Sequence, residues 1–189
     1  MNQKEKQDKF MELLKPLTGR LERYALAITM NREEAKDVVG ETVMLAWENY
    51  DKLKSEDAFL SFLFTIASRV YNKRQRVFFK FRVNEVQEID ELYCNSLAPD
   101  VSTDVGILYK AIEKLSAQQK DTIILYEIMG FSIKEICGIQ DSNESSVKMR
   151  LVRTRQKIAE LMGVKDYGLR NDKTIKINDA SYVKGQTNE

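Results

Sequence analysis

The stretch SIKEICGIQDSNESSVKMRLVRTRQKIAELM, residues 132–162, decides the fold. Ser132 stands before a short apolar-periodic run, Ile133–Ile139, where a side-chain oxygen caps a helix. Asp141-Ser142-Asn143 is a polar turn, and Asn143 is the cap of a last helix that reaches about Met162, with Gly163 closing it. With Val147 at zero and about 100° per residue, Val147, Leu151, Thr154, Ile158 and Leu161 stay within about 40° of one line, the inward face. Ser145, Met149, Val152, Arg153 and Gln156 then face outward. Lys148 and Arg155 lie on one flank of that strip, Arg150 and Lys157 on the other. Residues 146–157 hold five basic and no acidic side chains. Two helices joined by a tight polar turn, the second strongly basic, form a helix-turn-helix pattern. Its flanking cations suit phosphates, and the strip between them suits base edges in a major groove. The competing reading is a solvated amphipathic helix, but ordinary surface helices mix charge signs and this one does not.

Working outward from this stretch, Ser116 caps a helix from Ala117 to about Met129, which Gly130 ends. Before it, Ile107, Ala111, Ile112 and Leu115 make one stripe, so residues 105–165 read as a small helical domain. Residues 83–104 lose the periodicity and read as an acidic linker, with a short helix admissible in Glu85–Tyr93. The span 83–106 has six acidic and no basic residues. After residue 165 the chain is polar and contains Gly168 and Gly185, so 166–189 is expected to be a mobile tail.

Residues 6–82 read as a second helical domain. Asn31, followed by Glu33 and Glu34, is an N-cap with acidic residues at the positive end of the helix dipole. Ala35, Val38, Val39, Val43, Ala46 and Trp47 form its inward stripe, and Asp37, Glu41, Met44 and Glu48 fall together on another face. A further helix runs from about Asp57 to Arg82. Leu63, Ile66, Ala67 and Val70 are its core side, while Phe62, Thr65, Arg69, Asn72 and Arg76 project elsewhere. Its end, residues 69–82, has six basic and no acidic residues, among them Lys73 and Arg74, interleaved with aromatics. Cations beside rings suit single-stranded nucleic acid. Most of these rings read as core; Phe62 and Tyr71 are the candidates for exposed stacking.

The whole chain of 189 residues carries 30 Lys plus Arg against 29 Asp plus Glu, a net charge of +1. This argues against a uniformly basic coat and hides the local charge blocks. Two prolines, eight glycines and much Leu, Ile, Lys and Glu point to an all-α fold. The absence of histidine removes Ser-His-Asp and Cys-His chemistry and histidine metal sites. Cys94 and Cys137 are far apart, so neither a Cys₄ metal site nor a disulfide framework is expected. No phosphate loop occurs, and neither a signal peptide nor a membrane-spanning segment is expected. No cofactor, metal or catalytic residue is assigned.

Several blocks carry a family resemblance. Asn31-Arg32-Glu33-Glu34-Ala35-Lys36-Asp37-Val38-Val39-Gly40-Glu41-Thr42-Val43-Met44-Leu45-Ala46-Trp47, continued by Ala58 to Arg69, closely resembles region 2 of bacterial sigma factors of the sigma-70 family, extracytoplasmic-function (ECF) type. Ala111 to Lys120, Phe131 to Ile136, Ser146 to Leu151 and Arg153-Thr154-Arg155 resemble region 4.

The resemblance implies a non-enzymatic promoter-specificity subunit made of two small helical domains joined by the acidic linker. Core RNA polymerase would be its partner, through the β′ clamp and the β flap, together with promoter DNA and, as the family implies, an anti-sigma factor. Asp37, Glu41, Met44 and Glu48 would dock on the clamp. The loop 51–58 and the helix after it would read the melted −10 element through Phe62, Arg69, Tyr71, Asn72, Lys73, Arg74 and Arg76. Ser145, Ser146, Lys148, Met149, Arg150, Arg153, Arg155 and Lys157 would read or grip the −35 duplex. The acidic linker would thread a polymerase channel, and the protein would act in the cytoplasm. The chain departs from the family pattern at Gly40 (usually Gln), Phe62 (usually Trp), Gln140 and Ser142 (usually Leu and Ile) and Asp141 (usually Gly). The alternative on residues alone is a one-component helix-turn-helix regulator that binds operators without core polymerase. A helical hydrolase using Asp and Glu is a weaker rival, since no paired-carboxylate motif supports it.

Overall fold

The computed structural model describes residues 2–82 and 104–164. The expected linker apart from Asp104, the expected tail, and the short helix in Glu85–Tyr93 lie outside the described residues. Within them the chain forms α1 (Gln3–Leu14), α2 (Thr18–Thr29), α3 (Arg32–Glu48), α4 (Phe59–Arg82), α5 (Asp104–Glu113), α6 (Ala117–Ile123), α7 (Ile133–Gln140) and α8 (Glu144–Leu161). The all-α expectation holds for these residues.

Local chemistry sets the helix ends. The Asn31 side chain accepts from the N–H groups of Glu33 and Glu34 at 2.9 and 3.1 Å. Ser116 and Ser132 each close a capping box, with Gln119 and Glu135 respectively. Asn143 accepts from the Ser146 N–H at 2.8 Å. Gly130 and Gly163 sit at φ +72 and +74, the left-handed region where a side chain is disfavoured. Asp141 occupies that region too, at φ 49, so the turn keeps its left-handed shape with one of the few non-glycine residues that accept it. One helix departs from expectation. After Ile123 the chain makes a π turn over Ile124–Ile128, with the Met129 N–H bonded to the Ile124 carbonyl at 3.0 Å.

The core is built around α4, which is buried on two sides. Val70 faces Ala25, Ala35 and Val38 of α2 and α3. Phe64, Ala67 and Tyr71 belong to a larger cluster with Leu21, Tyr24 and Ile28, and that cluster continues into Ile124, Leu125, Phe131 and Ile136. The two halves of the chain therefore share one core. Phe64 and Phe131 meet edge-to-face with centroids 4.9 Å apart, a pairing that contributes about 1 kcal/mol beyond area burial. Arg20 lies over both rings and donates to the Met129 carbonyl at 3.2 Å. In α8, Val147, Leu151 and Thr154 are buried as expected, but Leu161 is exposed and Ala159 takes the last inward position. Among the described residues no neighbour covers Leu161.

Candidate nucleic-acid interface

On α8, Ser145, Ser146, Lys148, Met149 and Arg153 are exposed, and Met149 leaves half its surface to solvent. Ser145, Ser146, Met149 and Arg153 border a depression of about 710 Å³ whose other wall is Ser116, Gln118 and Gln119 from the start of α6. The sequence assigns Ser116 to a cap and Gln118 and Gln119 only to the block resembling region 4, so none of the three is among the expected site residues; an amide pair beside a basic helix is the available signal. Arg150 is half-buried and donates to Gln140 Oε1 at 2.6 Å and to the Thr122 hydroxyl at 3.1 Å. Gln140, a departure from the family pattern, thus holds the guanidinium of the basic helix. Arg155 is mostly covered. It donates to Glu127 Oε1 from Nη2 at 2.6 Å and from Nε at 3.0 Å, and lies over the Tyr126 ring. Lys157 is half-buried, and Lys148 pairs with Glu144 one turn earlier at 3.0 Å.

On α4, Arg69, Lys73 and Arg76 are exposed and Asn72 is half-buried. They look into a cleft of about 790 Å³ that separates α4 from Gln118, Asp121 and Gln140. Phe62 is half-buried, tilted against Phe59 with centroids 6.2 Å apart. Tyr71 corrects the expectation of an exposed stacking ring, being only 2% exposed. The reason is helical phase: Tyr71 lies in line with Phe64 and Ala67, on the side of α4 that the second half of the chain covers. Burial, aided by the nearby Asp121 charge, pushes its hydroxyl well above the usual tyrosine range. The loop before α4 is pinned at both ends by buried rings, Tyr50 and Phe59, each edge-to-face with Phe10. Lys6 holds Asp51 at 2.6 Å.

The acidic face of α3 is open at Asp37, Met44 and Glu48, while Glu41 is half-buried. Arg74, from the basic run of α4, pairs with Glu41 at 2.8 Å and with Asp37 at 3.5 Å. Among the described residues no helix is long and apolar enough to cross a membrane.

Comparison with known proteins gives the family. Residues 13–76 match the family described as sigma-70 region 2, and residues 106–158 match sigma-70, region 4. An ECF RNA polymerase sigma factor, EcfG of Rhodopseudomonas palustris, is 26% identical over 155 residues, covering 78% of this chain and 83% of its own. The RNA polymerase sigma factor SigV of Bacillus subtilis is 27% identical over 131 residues, 69% of this chain and 77% of its own. The sigma factor RpoE from Bartonella quintana, solved in complex with the anti-sigma factor NepR, superimposes with a TM-score of 0.65 at 26% identity, over 84% of this chain and 98% of that one. CnrH, solved with the cytosolic domain of CnrY, shares the fold at a TM-score of 0.59 and 21% identity, over 84% and 90%. A region 2 match has no place in a one-component operator binder, so that alternative falls. With both conserved regions matched in chain order, this chain belongs to the ECF group of the sigma-70 family, non-catalytic subunits that direct RNA polymerase to promoters and start transcription.

Proposed function

We propose that the two basic helices divide promoter recognition between them. In this reading residues 105–165 form the −35 domain. Ser145, Ser146, Met149 and Arg153 of α8 face base edges, and Lys148, Arg150, Arg155 and Lys157 serve the phosphates. Residues 6–82 form the −10 and polymerase-binding domain. Arg69, Asn72, Lys73 and Arg76 track the melted strand, with Phe62 at its edge. Asp37, Glu41, Met44 and Glu48 offer the β′ clamp an acidic rim around an exposed thioether, and the second domain meets the β flap. The likeness to a sigma factor solved with its anti-sigma factor supports a partner of that class here. The family's work with RNA polymerase supports a cytoplasmic location.

One observation carries this reading: an exposed polar strip on α8, edged by cations and backed by a buried Val147, Leu151, Thr154 face. Its test is run-off transcription from a promoter set with the purified chain and core polymerase, neither sufficing alone. Replacing Lys148, Arg150, Arg153 and Arg155 by Ala should weaken −35 duplex binding and reduce its salt slope by about 0.9 per lost phosphate contact. Lost transcription with unchanged duplex affinity and slope would overturn the assignment of α8.

A further inference from the structure

Both proposed DNA-reading helices converge on one buried carboxylate. Asp121 of α6 is completely buried. Its Oδ1 accepts from the Tyr24 hydroxyl at 2.6 Å. Its Oδ2 accepts from the Ser68 hydroxyl at 2.5 Å, from Asn72 Nδ2 at 3.3 Å and from Gln140 Nε2 at 2.8 Å. Gln140 in turn accepts from Arg150 at 2.6 Å. An unbroken run of hydrogen bonds thus joins Asn72 on the −10 helix to Arg150 on the −35 helix.

This arrangement conflicts with promoter engagement. Elements centred near −10 and −35 lie about 25 base pairs apart, roughly 85 Å of duplex at 3.4 Å per step. Two helices that share a hydrogen-bonded carboxylate do not span that distance. The cleft between them also sets Arg69, Asn72 and Lys73 against a protein wall of Gln118, Asp121 and Gln140.

We propose that Asp121 is the latch of a closed state of the free chain, in which the two DNA-reading helices are held together, and that Gln140 ties Arg150 into it. The proposal rests on the reading of α4 and α8 given above and adds that the chain carries its own restraint. The chemistry suits a reversible contact. A carboxylate leaving water loses strong solvation, which four donors here offset in part. On opening, Asp121, Tyr24, Ser68, Asn72 and Gln140 all regain water, which offsets part of the cost of exposing the apolar core that the halves share. The latch also accounts for glutamine at position 140: leucine there would neither donate to Asp121 nor accept from Arg150.

The test is the distance between the halves of the full chain in solution. Spin labels on Lys52→Cys and Glu160→Cys, both at exposed positions, are introduced with Cys94→Ser and Cys137→Ser. Double electron–electron resonance should give one short distance for the otherwise unaltered chain. Asp121→Asn turns one accepting oxygen into a donor. Tyr24→Phe with Ser68→Ala removes two donors from the opposite half. Each should raise the open population about tenfold, as loss of about 1.4 kcal/mol implies, with helicity by circular dichroism unchanged. A long distance in the unaltered chain, or an unmoved distribution in both variants, overturns the latch. Transcription with core polymerase is scored separately. Transcription with unmoved labels sinks the latch alone. Labels that move as expected without any promoter-dependent transcription sink the DNA-reading assignment and leave the restraint between halves supported.

Discussion

Arg74 Nε donates to Glu41 Oε2 at 2.8 Å, so one cation of the α4 basic run is held by the acidic face of α3. The sequence places these two residues in different functional sets, Arg74 with DNA and Glu41 with polymerase. The structure makes them partners, and Asp37 is a weaker third member at 3.5 Å. A cation already paired releases fewer counterions when DNA arrives.

Arg74→Ala is therefore expected to leave the salt slope of −10 single-strand binding by the holoenzyme nearly unchanged. Arg69→Ala, Lys73→Ala and Arg76→Ala should each lower it by about 0.7. Equilibrium binding across a salt series decides this; a full-size slope loss in Arg74→Ala would show that DNA displaces Glu41.

Glu127 restrains Arg155 in the same way on the other half, through two bonds to one carboxylate oxygen. Glu127→Gln should steepen the salt slope of −35 duplex binding by up to about 0.9 and tighten binding at low salt. An unchanged slope would mean that Arg155 stays on Tyr126 and makes no phosphate contact.

Two positions in α3 offer stability. Thr42 is completely buried, and its hydroxyl has no hydrogen-bond partner among the described residues. Thr42→Val keeps the shape and removes the orphan group, with an expected gain of about 1 kcal/mol. Gly40 has open space where a Cβ would stand, so Gly40→Ala should add about 0.8 kcal/mol through helix propensity. Urea denaturation measures both. A loss at Thr42→Val would indicate a water bound to the hydroxyl.

Burial holds the Asp121 carboxyl above its ordinary range, and its hydrogen bonds oppose that only in part. In the unfolded chain the group returns to about 3.9. Between the two values the folded chain keeps a proton that the unfolded chain has released. Asp121 thus makes stability fall as pH rises from about 4 through its folded pKa, and the penalty is complete above it. Asp121→Asn lacks this slope, so its stability relative to the unaltered chain should rise with pH from about 4 up to the folded pKa of Asp121. Denaturation at four or five pH values tests the sign; a flat difference would mean that the four donors return the carboxyl to its ordinary range.

What was legible in the sequence was local. Asn31, Ser116, Ser132 and Asn143 cap helices because a side-chain oxygen next to free N–H groups needs no distant partner. The outward strip of α8 followed from one angular periodicity. Tyr71, Leu161 and Asp121 were not legible, because their environments depend on which helix lies opposite. Periodicity assigned α4 one core side, yet it is covered on two, by α3 and by the second half of the chain. Asp121 sits among polar residues in the sequence; its burial arises only where Tyr24 and Ser68 arrive from far along the chain. Arg74 and Arg155 were read as cations correctly, but their committed partners lie 33 and 28 residues away.

The π turn over Ile124–Ile128 sets the angular gearing between the halves. Widening one turn by a residue lets Phe131 arrive opposite Phe64 while Leu125 still accepts its N–H at 3.0 Å. Excising the extra residue of that turn would restore ordinary α winding with the downstream phase nearly unchanged, whereas excising one from the α-wound Ala117–Ile123 would swing everything downstream by about 100° with a retreat of about 1.5 Å. In the second case Phe131 would leave Phe64, and Arg20 would lose one of the two rings it covers. The π turn is thus the one stretch of this helix that can give up a residue while the halves stay mated, which makes it the place where a length variant is absorbed.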